Sequence, residues 1–205
     1  MEYLLRGLLE SEAGDDPIAL FQTWLAAALR SGMLEPNAMT LATVDAEGRP
    51  AARMVLLKGA DARGFTFFTN YQSRKGRELS ANPHAALCFW WDAMERQVRI
   101  EGRVERVSAA ESDEYFASRP RGSQLGAHAS EQSAELPDRG LLTAQLAELE
   151  RRFAQSPIPR PEHWGGFRVV PDAIEFWQGR ASRLHDRLRF TKNADGGWRR
   201  VRLSP

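Results

Sequence analysis

Gln97-Val98-Arg99-Ile100-Glu101-Gly102-Arg103-Val104-Glu105-Arg106-Val107 changes character at every step as far as Glu105. Val98, Ile100, Gly102 and Val104 stand against Arg99, Glu101, Arg103 and Glu105. Period two marks a strand with one face on a core and the other toward polar surroundings. The pattern repeats outward in both directions. Met39 to Val44, Ala51 to Leu57, Phe65 to Thr69 and Ala85 to Trp91 read as strands. Between them lie Asp45-Ala46-Glu47-Gly48, the Gly59 to Gly64 turn and Asn82-Pro83, all with turn chemistry. Strand-like sequence resumes at Gly166 and continues in Ala173 to Trp177, His185 to Thr191 and Trp198 to Leu203, the last pair around Asp195-Gly196-Gly197. Roughly eight short strands without βαβ alternation predict a mainly β fold, an antiparallel barrel with helices packed outside. No Gly-x-Gly-x-x-Gly occurs, which argues against a dinucleotide-binding domain.

The helices announce themselves by their ends. Asp15-Asp16-Pro17 opens one, continued by Ile18, Phe21, Trp24, Leu25, Ala28 and Leu29 and stopped at Gly32. Arg74 to Ser80 reads as a short polar helix, and Ser108-Ala109-Ala110-Glu111 is a capping box starting a helix through Phe116. Leu141 to Phe153 is an amphipathic helix. Pro120 to Pro137, rich in Gly, Ser, Gln and His, reads as a loop, and Pro157 to Pro161 as a stiff connector.

The 205 residues suit one domain, with 42% hydrophobic and 27% charged residues and a net charge of +1. That balance gives no global field for nucleic acid or membrane surfaces. The lone Cys88 reads as a packed core thiol and excludes an intrachain disulfide or a cysteine-based zinc site. No apolar run reaches spanning length, and Glu10, Glu12, Asp15 and Asp16 do not fit a secretory leader. A cytoplasmic location is the expectation.

Several side-chain sets carry chemistry. Arg53-Met54-Val55-Leu56-Leu57-Lys58 has a cation at each end of an apolar run; five apart on a strand, the two face opposite sides unless a bulge intervenes. Thr69, Ser73, Arg74 and Lys75 join hydroxyls and cations at a strand-to-helix junction, where cations oppose the helix dipole unless an anion is present. Tyr115, Arg119, Arg121 and Ser123 form a second donor set at a helix end. Gln97 and Gln132-Ser133 could address the edge of a heterocycle, while Trp90, Trp91, Trp164 and Trp177 read as core or interface. Read as a strand, Arg183-Leu184-His185-Asp186-Arg187 puts Arg183, His185 and Arg187 on one face, the arginines about 13 Å apart. Such a face suits a flat anionic partner. His84, His128 and His163 lack metal-ligand spacing, and no Ser/His/Asp order points to a hydrolase. Two phosphate-grade sets plus a basic face fit two small phosphorylated rings side by side better than one polyanion.

Arg-Met-Val-Leu-Leu-Lys (53–58), Phe-Phe-Thr-Asn (67–70), Ser-Arg-Lys (73–75), Tyr-Phe-x-Ser-Arg-Pro-Arg-x-Ser-Gln-x-Gly (115–126), Trp-Gly-Gly-Phe-Arg (164–168), Glu-Phe-Trp-Gln-Gly (175–179) and Arg-Leu-His-Asp-Arg (183–187) resemble the pyridoxine/pyridoxamine 5′-phosphate oxidases. The resemblance implies an FMN-binding split β-barrel spanning 1–205, with a short N-terminal arm (1–16) and a C-terminal segment (172–205) that closes over substrate. It implies a homodimer with FMN at the subunit interface. By motif, FMN would be held by Arg53, Met54, Val55, Leu56, Leu57, Lys58, Phe68, Thr69, Arg74, Lys75, Gln97, Gln132, Ser133, Trp177 and Arg187. Lys58, Tyr115, Arg119 and Ser123 would meet the substrate phosphate, Tyr3 would act as a lid, and Arg183 and His185 would close over the pyridine ring. The implied reaction oxidises pyridoxine or pyridoxamine 5′-phosphate to pyridoxal 5′-phosphate, with O2 as acceptor and H2O2 released. Three positions depart from the family pattern: the arm lacks an arginine before Tyr3, Phe68 replaces a tyrosine, and His128 stands where tryptophan is common. A phenazine-type FMN oxidase of the same fold and a non-catalytic flavin or pyridoxal-phosphate carrier are the alternatives.

Overall fold

In the computed structural model, which describes residues 7–205, nine strands form one curled antiparallel sheet. They are β1 (Ala38–Val44), β2 (Pro50–Leu56), β3 (Gly59–Asp61), β4 (Gly64–Asn70), β5 (His84–Trp91), β6 (Arg96–Arg106), β7 (Trp164–Gln178), β8 (Asp186–Lys192) and β9 (Trp198–Leu203). The order β2-β1-β5-β6-β7-β4-β3 is extended by β8 and β9 from the second half of β7. This is the antiparallel barrel expected from the alternation, in the split form that the resemblance implied. Around it lie α1 (Glu10–Ala13), α2 (Pro17–Leu29), α3 (Arg74–Ala81), α4 (Ala109–Ser118), α5 (Arg121–Ala129) and α6 (Arg139–Arg152).

β7 is the shared member. Residues 164–169 pair with β4, 167–171 and 173–178 with β6, and 173–178 also with β8. The ladder shifts register between Glu101 and Gly102, opposite Pro171. A Cβ at Gly102 would lie 2.0 Å from the Val170 carbonyl oxygen, so only glycine permits that close crossing. What reads in sequence as two strands, from Gly166 and from Ala173, is thus one bent strand.

Inward-facing Val98, Ile100, Leu87, Phe89, Phe67 and Phe176 are fully buried. Phe21 of α2 plugs the barrel, its ring 4.9 Å from Phe65 and 5.1 Å from Phe89. Each such side chain contributes roughly 1.5–3 kcal/mol by burial. Asp16 caps α2 by accepting from the Ile18 N–H at 2.8 Å, with Pro17 in the first turn. A second, smaller core lies outside the barrel, where Phe116, Leu125, Phe153, Ile158 and Trp164 join α4, α5 and the flank of α6.

Four expectations need correction. Residues 121–129 of the supposed loop form α5, held by Leu125 and Ala127 against the second core rather than by intrinsic propensity. The amphipathic helix is present, but none of its residues is fully buried; Leu146 and Leu149 lie only partly covered. Cys88 is half-buried on the outer sheet face, between Thr40 and Arg99, not in the barrel core. The chain between β7 and β8 is a reversal: Ala181–Arg183 form a single 3-10 turn with Ser182 at φ 57 and Arg183 at φ 60. Antiparallel β7 and β8 need that reversal, so Arg183 and His185 precede the strand and do not share its face with Arg187.

Candidate functional site

The junction between β4 and α3 builds the first part of the site. Ser73 caps α3, accepting from the Gly76 N–H at 3.3 Å while its hydroxyl donates to the Asn70 carbonyl at 2.7 Å. Gly76 seats the helix: a Cβ there would fall 2.1 Å from the Tyr71 carbonyl oxygen. Arg74 and Lys75 therefore occupy the first turn. Lys75 Nζ lies 3.2 Å from Thr69 Oγ1 and 3.1 Å from Gln132 Oε1, and the Thr69 hydroxyl donates to Gln132 Oε1 at 3.0 Å. Burial, reinforced by the nearby Arg53 charge, pushes the Lys75 pKa below the usual lysine value. Arg53, Arg74, Lys75, Gln132 and Ser133 line a hollow of about 420 Å³.

Beneath these cations sits Glu78, which the sequence pattern did not single out. It is 5% exposed. Its Oε2 accepts from Thr43 Oγ1 at 2.6 Å and from Arg53 Nη2 at 2.8 Å, and its Oε1 from Arg74 Nε at 2.8 Å. Burial opposes its ionisation, yet the bonds from Thr43, Arg74 and Arg53 outweigh it and hold the carboxyl below the ordinary range. Part of the conflict between basic residues and the α3 dipole is thus relieved from within the chain.

A larger cleft of about 600 Å³ adjoins this hollow and shares Lys75 and Gln132 with it. Met54, Val55, Leu56, Lys58, Phe68, Thr69, Lys75, Tyr115, Arg119, Ser123 and Gln132 of the expected set all line it. β2 ends at Leu56, so Lys58 is not bound by strand alternation and reaches the cleft while Arg53 serves the hollow. The wall is aromatic: Phe68 stacks on Tyr115 at 4.0 Å and on Trp164 at 5.5 Å. Lys58 Nζ lies 5.9 Å from the Tyr115 ring centre, and the Arg119 guanidinium 4.6 Å from that of Trp164.

Three cations line the cleft, and no carboxylate among the described residues does. Arg119 Nη1 is buried with no hydrogen-bond partner, and burial lowers the Arg119 pKa from its usual value. An orphaned guanidinium nitrogen is costly unless an anion meets it. The donor set therefore fits phosphorylated ligands, FMN among them. Asn70, Gly126, Ala127 and Ser130 also line the cleft and were missed in sequence, Gly126 and Ala127 because they lie on the unforeseen α5 and Ser130 because it caps its end.

The remaining expected residues lie elsewhere. Gln97, Trp177 and Arg187 are neighbours across β6, β7 and β8 on the outer sheet face. Trp177 stands 5.9 Å from Trp90 and 4.5 Å from His185, centre to centre, and His185 Nδ1 accepts from the Arg180 N–H at 3.1 Å. Arg187 Nε is 2.9 Å from Glu175 Oε1. Arg183 is exposed on the strained turn. Leu57 is buried in the barrel. None of these lines the cleft in the single chain, and Tyr3 lies outside the described residues.

Comparison with known proteins agrees with this geometry. Residues 25–153 match the family model described as pyridoxamine 5′-phosphate oxidase, and 164–205 match the pyridoxine 5′-phosphate oxidase C-terminal dimerisation region. A pyridoxine/pyridoxamine 5′-phosphate oxidase from Cupriavidus pinatubonensis is 60% identical over 99% of this chain and 95% of its own length. Among solved structures, PhzG from Burkholderia lata 383, in complex with tetrahydrophenazine-1-carboxylic acid, superposes with a TM-score of 0.92 at 33% identity, covering 98% of this chain and 99% of that one. A pyridoxamine 5′-phosphate oxidase-related, FMN-binding protein from Nostoc punctiforme shares the fold with a TM-score of 0.72 at 18% identity, covering 90% and 97%.

Proposed function

The chain belongs to the pyridoxamine 5′-phosphate oxidase family, and from that premise we propose that it is an FMN-dependent oxidase acting as a homodimer. It converts pyridoxine 5′-phosphate or pyridoxamine 5′-phosphate to pyridoxal 5′-phosphate, with O2 as acceptor and H2O2 as by-product. The observation that carries this reading is the cleft lined by Lys58, Lys75 and Arg119 and, among the described residues, by no carboxylate. FMN, when bound, supplies the two-electron chemistry that side chains lack.

The protein's own contribution is grip and orientation. Lys58, Tyr115, Arg119 and Ser123 hold the substrate phosphate, with charge-assisted bonds to Lys58 and Arg119. Arg53, Arg74, Lys75 and Ser133 hold the flavin phosphate in the adjoining hollow, beside Thr69 and Gln132. Met54 to Leu56 and Phe68 supply apolar and backbone contacts along the cleft. Anchoring both ligands by their phosphates fixes their rings relative to one another, the source of an orientation advantage. Gln97, Trp177 and Arg187, with Arg183 and His185, complete the site from the second copy. Their separation from the cleft in one chain supports a shared site.

Aerobic incubation of the yellow holoprotein with pyridoxamine 5′-phosphate tests the reading. Aldehyde and peroxide are expected. Flavin without turnover points to a carrier, and a protein unable to take up FMN defeats both. Arg183→Ala is expected to lose most turnover while keeping FMN; unchanged turnover removes Arg183 from the site. The close superposition on PhzG keeps a phenazine-type oxidase as second reading. Dependence of turnover on the substrate's phosphate separates the two, because the Arg119 set suits that group.

A further inference from the structure

Arg53 and Arg74 come from different elements, one on β2 and the other on α3, yet both end on the same carboxylate. Glu78 spends one oxygen on each arginine, and Thr43 from β1 steadies the oxygen facing Arg53. Arg53 Nη1 is further tied to the Leu41 carbonyl at 3.3 Å and to the Thr43 hydroxyl. Two flexible guanidinium groups are thereby fixed before any ligand arrives. Arg53, Arg74 and Lys75 carry three positive charges at the hollow, and Glu78 cancels one, leaving two. A phosphate monoester near neutrality carries close to that charge with opposite sign. Without the carboxylate, Arg53 and Arg74 would repel each other and Lys75, and both forks would regain rotamer freedom.

We infer that Glu78 is a positioning residue, which sets Arg53 and Arg74 for the flavin phosphate without touching the flavin itself. The inference rests on the FMN reading above and adds a residue to it. A competing idea is that Glu78 weakens anion binding by its negative charge. The two predict opposite signs.

The test titrates apoprotein with FMN and, separately, with riboflavin, which lacks the phosphate, following quenching of flavin fluorescence. For Glu78→Gln, FMN affinity should fall by about tenfold or more, while riboflavin affinity stays within about twofold. The apoprotein should melt cooperatively. FMN affinity unchanged or raised overturns the inference, and so does an equal loss for both ligands, which marks a general structural role. Should Glu78→Gln fail to fold, Thr43→Val loosens the same carboxylate more gently and should lower FMN affinity by about threefold, again sparing riboflavin. Wild-type protein that binds no FMN overturns both this inference and the functional reading. Wild-type binding with insensitive variants overturns this inference alone.

Discussion

The cleft beside α5 and the outer sheet face around Trp177 use the same residue types in opposite electrical settings. In the cleft, Lys58, Lys75 and Arg119 line a concave space that holds no carboxylate among the described residues, and Arg119 Nη1 is buried without a partner. On the sheet face, arginines meet acids. Arg187 and Arg99 reach Glu175 at 2.9 and 3.7 Å, while Arg99 and Arg189 reach Glu101 at 2.9 and 3.1 Å. Trp90, 51% exposed, lies among them. The first setting lacks a negative charge and calls for an anionic ligand. The second is already balanced, broad and aromatic, as suits burial against another protein surface. One chain thus carries a pocket awaiting a molecule and a wall awaiting a second chain.

The sharpest way to break this contrast is Arg119→Ala. If the orphaned guanidinium is the substrate's anchor, kcat/KM for pyridoxamine 5′-phosphate should fall about 10²–10³-fold with FMN retained. An effect below about threefold would show that Arg119 is not the anchor for the ligand. Next in size is Gly76→Ala. Its methyl meets backbone, not a yielding side chain, so about 1–3 kcal/mol of stability should be lost in denaturant titration, together with FMN affinity. Mixing the two regions sharpens the comparison. Arg119→Ala and Arg187→Ala chains, each weak alone, should regain about one quarter of wild-type activity after co-refolding, because half the dimers are mixed and each holds one intact site. No recovery would place both residues in a site made by a single chain.

Two smaller effects concern pH. A phosphate favours charged Lys75, whose pKa burial has lowered from 10.5. FMN affinity should therefore decline as pH rises, before an ordinary lysine would titrate, by up to about tenfold per unit. Lys75→Arg should move that decline to higher pH. Glu10 gives the weakest signal. Its bond to Arg202 holds its pKa at about 2, against 4.5 for an unperturbed carboxylate. A depressed carboxylate pKa stabilises above 4.5 and loses that contribution as pH falls toward about 2. The 7–14 segment should gain protease sensitivity in that window.

The barrel was legible because period two is imposed on every half-buried strand, and 97–107 shows it almost without interruption. The cations of the cleft were legible because several separate donor sets recur along the chain, each with a bland explanation alone but together fitting two phosphorylated ligands. Three things were not. Helix α5 (Arg121–Ala129) carries two glycines, a serine and a single large apolar residue, Leu125, so it shows no apolar period in sequence and is held by packing on the Phe116 and Phe153 cluster. The 183–187 segment alternates like a strand, but reversal between β7 and β8 takes its first residues for the turn. Glu78 looks like any charge on a short polar helix; its partners Thr43 and Arg53 lie 35 and 25 residues away. Distance along the chain hid the residue that organises the nearest cations.

β7 begins with Trp164 at the aromatic wall and ends with Trp177 and Gln178 at the opposite face. It therefore acts as a ruler: the offset between the two tryptophans is written in a count of peptide units, not left to a hinge. Because successive side chains point to opposite sides, deleting one residue from its middle would turn one end inside out relative to the other. Loops of this molecule can tolerate a change in length; this strand cannot.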